Sequence, residues 1–377
     1  MKRLPLSTLS KLTSTIRTGP IGIDFGTQRL NLVQFEQRQN SNQIIAASSM
    51  PYMKGRDELL GSGEELRFFI NRTLKTQAFR GREVVAALPP NKFQLLHINY
   101  QVHKNDDHDA MLVRAVKERF SERLGNAVID YLPIRPKVDD QVDRTALVAI
   151  SDHEELVDFL EALRRAKLKV KALEVGSVAI QRLLSSLQKQ DNHQSKLMAI
   201  NFASDRTFVT VIWGGELLLD REIPVGLDSM LGAICSSLGM TEDKVVQMLE
   251  HYGLSEYDSQ FNLGKDLNPN EDISSSLSQI LSPSFQKLTK EIKKILIFTA
   301  AETQGGAIEA VYLLGSAARW PNSDKYLSRH IKLPVVTLDP LIGHSPKSGE
   351  LRKDKLEPIS GLSVASGLAL RGLVNNA

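Results

Sequence analysis

Ile21-Gly22-Ile23-Asp24-Phe25-Gly26-Thr27 is an apolar strand start that ends in a carboxylate and a small-residue turn. Leu30-Asn31-Leu32-Val33-Gln34-Phe35 resumes the alternation behind it. Period-two apolar spacing on both sides of a glycine turn reads as a β-hairpin. The turn also suits a phosphate group: amides near Gly26 and Thr27 can face its oxygens, and Asp24 can hold a hydrated magnesium ion beside them. A plain hairpin explains the same residues, so the stretch gains meaning from its recurrence. Residues 196–202 form a second strand ending in small and polar residues, 208–213 alternate, Gly214-Gly215 turns, and 217–221 return. Two halves that each open with a hairpin suggest duplication of one α/β plan, with a ligand cleft between them.

The 377 residues are enough for two or three cores, and 42% hydrophobic with 24% charged residues is the balance of a soluble multidomain protein. No run approaches eighteen apolar residues, so no membrane span is expected. The net charge of +3 is spread along the chain and does not call for nucleic acid. One cysteine, Cys235, lies in an apolar helical pattern and excludes an intrachain disulfide framework. The eight histidines have no recognisable metal spacing, and there is no glycine-rich lysine loop of the P-loop type. Trp213 and Trp320 read as hydrophobic anchors.

The expected organisation starts with a flexible basic segment at 1–19, carrying Lys2, Arg3, Lys11 and Arg17 without an acidic residue. Residues 20–92 read as the first part of one lobe: three strands, a helix at 64–76 and a strand at 83–88. Residues 93–170 read as an inserted small α/β module whose second helix, 154–166, starts at a capping box of Ser151 and Glu154. Residues 171–195 return and cross to a second lobe at 196–343, which contains a helical excursion at 228–283. The polar stretch 255–282 reads as exposed, with a long helix beginning after Pro283. A polar loop and a C-terminal helix returning to the cleft complete the chain at 344–377.

Four candidates converge on nucleotide chemistry: Asp24-Phe25-Gly26-Thr27, Asn201-Phe202-Ala203-Ser204-Asp205, Gly315-Ser316-Ala317, and Glu174 at a domain crossover. With Arg221-Glu222-Ile223-Pro224-Val225-Gly226, Leu338-Asp339-Pro340 and the terminal 364–372, this constellation resembles the actin-like ATPase superfamily. Within it, the PilM family of type IV pilus assembly proteins, related to FtsA, is the best match. The segments occur in the family's order and cover about 20–373.

The resemblance implies a two-lobed α/β fold with duplicated ribonuclease-H-like halves and an FtsA-type inserted subdomain. It also implies a cytoplasmic scaffold at the inner face of the inner membrane that binds the cytoplasmic tail of a PilN-like protein, in pilus biogenesis or a related secretion or DNA-uptake system. ATP and magnesium are the implied ligands: Asp24 near a hydrated magnesium, Gly26 and Thr27 beside phosphate, Asn201 at the start of the second phosphate turn, Gly226 in a separate cofactor-binding motif, and Gly315 and Ser316 beside the nucleoside. Lys290, with Glu291 and Lys294, is placed on the adenosine side or on a solvated helix face. Glu174 either orients water or is a surface acid.

The sequence departs from the family pattern at several of these positions. Asn201 replaces an aspartate, Ser316-Ala317 replace glycines, Leu227 follows Gly226, and Gln247, Met248 and Glu250 occupy a region where the family commonly has a lysine, whose charge would be reversed if Glu250 takes its position. A degenerate site with little hydrolysis is therefore expected. The alternatives are an active actin-like ATPase, or a small-molecule kinase, for which no catalytic aspartate stands out.

Overall fold

The computed structural model describes residues 16–38, 41–104, 106–120, 125–134, 142–187, 195–255, 269–341 and 359–373. The expected flexible segment 1–19 lies outside them up to residue 15, but its end, Arg17–Gly19, is already strand; the polar loop 344–358 also lies outside.

In the first lobe, β1 (Arg17–Phe25), β2 (Arg29–Arg38) and β3 (Ser41–Pro51) form an antiparallel meander; α1 (Arg56–Gly61) and α2 (Gly63–Leu74) lead to β4 (Glu83–Ala87). Pro20 sits where the β1 register shifts, so its missing N–H leaves no gap in a regular ladder. β4 runs parallel to β1, and β8 (Lys169–Glu174) closes a sheet of order β3-β2-β1-β4-β8. The second lobe repeats this plan. β9 (Lys196–Phe202), β10 (Thr207–Trp213), β11 (Glu216–Ile223), β12 (Ala310–Gly315) and β13 (Val335–Thr337) form a sheet of order β11-β10-β9-β12-β13. β9 is antiparallel to β10 and parallel to β12. The duplicated hairpins of the sequence are thus the openings of two equivalent sheets.

Two helices lie between the sheets: α5 (Gly176–Leu187) and the nearly all-buried α10 (Ser363–Arg371). One core joins Val33, Phe35 and Val85 of the first sheet to Ala199, Ile212 and Leu314 of the second through Ile180, Leu183 and Leu368 of these helices. The approach is close enough to require glycine: a Cβ on Gly22 would overlap the carbonyl of Ala365, and one on Gly367 the carbonyl of Ala179.

Between β4 and β8 stands the inserted module: β5 (Gln94–Gln101), α3 (His108–Phe120), β6 (Ala127–Pro133) and β7 (Asp143–Asp152), with strand order β5-β7-β6. The sequence expectation gave this module a second helix, and the structure moves that helix. α4 (His153–Arg165) packs Phe159 and Leu163 into the first lobe's outer core beside Ile23 and Leu66, and β8 joins the first sheet. Its N-cap is Asp152, whose carboxylate accepts the amides of Glu154 and Glu155; Ser151 instead donates to the Lys92 carbonyl at 2.7 Å.

The second lobe is completed by α6 (Leu227–Leu238), α7 (Glu242–Tyr252), α8 (Pro269–Glu302) and α9 (Ser323–Ile331). α8 starts well before Pro283, which lies inside it. Leu277, Leu281, Phe285, Leu288, Ile292 and Ile295 form one buried stripe at helical spacing. The serines that mask its first half fold back on the helix: Ser274 and Ser276 donate to the carbonyls of Asn270 and Asp272. Among the described residues, no helix is long and apolar enough to cross a membrane.

Gly22→Ala should lower unfolding free energy by about 3 kcal/mol in urea titration, because the obstructing atoms are backbone and cannot rotate away. A change below about 0.5 kcal/mol would contradict the proposed packing.

Candidate functional site

The turns at the carboxyl ends of β1, β9 and β12 meet α5 and the 3-10 turn Ile359–Leu362 around one cavity of about 80 Å3. It is lined by Asp24, Gly26, Thr27, Asn201, Gly315 and Ser316, so six of the residues singled out in the sequence come together. Asp24 accepts from Asn31 Nδ2 at 3.0 Å, Asn31 Oδ1 accepts from Ser49 Oγ at 2.7 Å, and Arg29 Nε donates to Ser49 Oγ at 3.0 Å. This relay fixes the aspartate across three strands. Burial pushes its carboxyl up to about 6, opposed by the Asn31 bond and the charge of Arg56.

The lobes touch directly at this cavity. Ser204 Oγ donates to Thr27 Oγ1 at 3.2 Å, so the two hairpin turns meet. Arg319, in the 3-10 turn Ser316–Arg319 after β12, donates Nη2 to Gln28 Oε1 of the first lobe and Nε to Glu250 Oε1 at 2.9 Å. Glu250, weighed in the sequence as a replacement for a lysine, is therefore paired with an arginine. Arg29, Arg56 and Arg319 also line the cavity, and none was singled out in the sequence. Arg319 could have been noticed, four residues beyond the small-residue loop at Gly315; Arg29 and Arg56 lie in no motif.

The other candidates lie elsewhere. Gly226 is behind the second turn: the amides of Leu227 and Asp228 donate to Ala203 O and Ser204 O at 2.9 and 2.8 Å, and a Cβ on Gly226 would overlap residues 204–206. It lets the start of α6 brace the turn. Gly315, at φ +76°, is needed by its neighbour, since a Cβ there would stand 2.5 Å from Asn201 Oδ1. Lys290 is exposed on α8 and does not line the cavity. Glu174 is held by Arg182 at 2.7 Å through both oxygens and by Arg371 at 2.6 Å, away from the cleft. Among the described residues, no three His, Cys, Asp or Glu side chains group to hold a metal ion. Among the described residues, Asp24 alone lines the cavity as a carboxylate.

Glu174, Arg182 and Arg371 instead form the polar end of a second cavity, about 560 Å3, between the first lobe and the inserted module. The three-stranded sheet explains it. One face, with Ile98, Ala146 and Val148, is covered by Leu112 and Val116 of α3; the alternate residues Leu95, Leu147 and Ala149 face the groove. The opposite wall is Leu88, Leu156, Leu173 and Val178 of the first lobe. Beyond the groove the module reaches the second lobe, where Leu147 and Ile134 pack on Leu217. Burial and the Arg221 charge push His97 down to about 4, and its Nε2 has no hydrogen-bond partner among the described residues.

Asp220 ties α5 to the second sheet, accepting from Ser177 Oγ at 2.9 Å and Thr210 Oγ1 at 2.5 Å, and burial pushes its carboxyl from 3.8 up to about 7. A folded value above the unfolded one means the carboxyl costs stability progressively as pH rises from 3.8 toward 7. Asp220→Asn should thus gain stability relative to the parent chain between pH 4 and 7, at up to about 1.4 kcal/mol per pH unit. Urea titrations at pH 5 and 8 test this, and a difference independent of pH would contradict it.

Comparison with known proteins places this geometry. The PilM-PilN type IV pilus biogenesis complex contains a chain that aligns over 94% of this one and 98% of its own length, with TM-score 0.75 and 21% identity. The ethanolamine utilization protein EutJ from Carboxydothermus hydrogenoformans aligns over 94% and 89%, with TM-score 0.50 and 13% identity. These likenesses concern the fold, which is the actin-like two-lobed one. No curated protein matches the sequence. The family model for the type IV pilus assembly protein PilM matches residues 22–373, from the Gly22 contact of β1 through the end of α10, and the chain belongs to that family.

Proposed function

We propose that this chain is a type IV pilus assembly scaffold whose groove between the first lobe and the inserted module binds the cytoplasmic tail of a PilN-like inner-membrane protein. It would thereby be held at the inner face of the membrane. The observation that carries this reading is the groove itself. Its volume of about 560 Å3 falls in the range of ligand sites, roughly 300–1,000 Å3, and its walls are mainly apolar. β6 is an outer strand of its sheet and β8 of its own, and residues of both line the groove. An extended segment can therefore add main-chain hydrogen bonds to an edge while placing alternate side chains against Leu95 and Leu147. The fold supplies family precedent as well, since its relative in the PilM-PilN complex shares 98% of its length with this architecture.

Val128 lies on β6, lines the groove and is 36% exposed, so its replacement should spare the core. Val128→Asp is expected to weaken binding of the tail peptide at least tenfold by calorimetry. Val113→Asp, on exposed α3 surface, should leave it unchanged. Equal affinity for both variants would reject the groove.

The cleft we read as a structural nucleotide site. Bound magnesium would offset charge on the phosphates; Asp24 would hold its waters, Thr27 lie beside phosphate, and Gly315 with Ser316 beside the nucleoside. The residues suit this role, but about 80 Å3 is far below a nucleotide's needs, so binding must part Ser204 from Thr27 and Arg319 from Gln28. With Glu174 committed to two arginines, no lining carboxylate besides Asp24 remains among the described residues to orient water. Titration should give saturable magnesium-dependent ATP binding with phosphate release at the background rate, and Asp24→Ala should weaken it at least tenfold. Rapid release, or binding indifferent to Asp24→Ala, would contradict this assignment.

A further inference from the structure

We propose that the exposed face of the second half of α8 is a contact surface for an anionic lipid bilayer. Lys290, which the cleft does not use, belongs to it. Leu281, Phe285, Leu288, Ile292 and Ile295 turn one side of this helix into the core of the second lobe, so the opposite side faces solvent. At about 100° per residue, Lys287, Lys290, Lys293, Lys294 and Ile297 all point within about 60° of the Lys290 direction, and all five are exposed. Ile297 is 72% exposed, and Phe298, at the edge of the same arc, is 41% exposed. A ladder of four lysines thus ends in an apolar tip.

A solvated helix face usually mixes both signs of charge, as α3 does with Arg114 and Glu118 and α4 with Glu161 and Arg164. The α8 arc carries no acidic residue from Ser276 to Ala301. Of its four lysines, Lys294 pairs with Glu291 at 2.8 Å, beyond the arc's edge; the other three have no ion-pair partner among the described residues. Unpaired ammonium groups are drawn to a negative surface, and their flexible stems let them stay at headgroup level while a neighbouring apolar group dips further. Ile297 and Phe298 are placed to do so, and moving them out of water adds a contact that a purely ionic partner would not supply. The buried stripe on the other side of α8 holds the face in place before any contact forms. The inference rests on the scaffold reading for its role and not for its surface: a tail in the groove would tether the chain beside the bilayer, where a weak lipid contact acts at high effective concentration.

The test is co-flotation of the full chain, without tail peptide, on vesicles of phosphatidylglycerol with phosphatidylcholine and on vesicles of phosphatidylcholine alone. Binding is expected only to the anionic vesicles and should weaken as salt is raised. Lys290→Glu with Lys293→Glu should reduce it at least about tenfold, and Ile297→Ser at least about threefold. Lys75→Glu with Lys117→Glu makes the same charge change at exposed positions of the first lobe and the inserted module, and should leave binding unaltered. All the substituted side chains are exposed, so each variant should keep the parent circular dichroism. No flotation, equal flotation on neutral vesicles, or equal loss from both lysine pairs would overturn the proposal. Capture by polyglutamate beads without vesicle binding, indifferent to Ile297→Ser, would assign the face to an acidic protein and overturn it as well. Tail-peptide calorimetry on the parent chain separates the two readings: flotation without tail binding sinks the groove alone, and tail binding without flotation sinks this proposal alone.

Discussion

The architecture depends on how closely α10 can approach β1 on one side and α5 on the other. Gly22 and Gly367 remove the side chains that would collide with the carbonyls of Ala365 and Ala179, and Ala365 and Ala369 are fully buried beside them. Because that layer is thin, one apolar core spans both sheets. Arg182 of α5 then reaches both the Gly367 carbonyl at 3.0 Å and Glu174, while Arg371 reaches Glu174 from the end of α10. The packing that joins the lobes therefore also fixes the polar end of the groove.

The cleft and the groove share a wall. Leu88 and Phe93 line both cavities, and the segment around β8 and the start of α5 contributes Glu174 and Val175 to one and Gly176 and Ser177 to the other. Ser177 in turn bonds the buried Asp220 of the second sheet. Any opening of the lobes must move this segment relative to one of its neighbours. The interlobe bonds at the cleft, Ser204 to Thr27 and Arg319 to Gln28, are single polar contacts at partly exposed residues, individually modest beside the apolar layer behind them. The geometry thus combines a strong hinge region with a weakly latched mouth.

Much of this was legible because repetition and small residues leave marks in a sequence. The hairpin at Asp24-Phe25-Gly26-Thr27 and its counterpart after residue 196 announced two equivalent sheets, and the last segment read as a helix returning to the cleft. What escaped was set by tertiary context. Serines at 274–278 resembled a loop because their hydroxyls compete for the backbone, yet in α8 those hydroxyls bond back onto the helix itself. The helix after Asp152 had the right pattern but no mark of which sheet it would cover; Phe159 and Leu163 chose the first lobe. Arg29, Arg56 and Arg319 come from separate segments and share a cavity only after folding. Gly226 was read as a ligand-facing glycine, whereas it packs behind the second turn; Gly315 lines the cavity and also meets a close-packing need.

The groove claim is tested most directly by a crystal structure of the full chain with the PilN-like tail peptide. The account predicts tail density extended along an edge strand between β6 and the first lobe, with apolar side chains against Leu95 and Leu147. Tail density in the interlobe cleft or on the outer surface of the second lobe, with the groove empty, would contradict it.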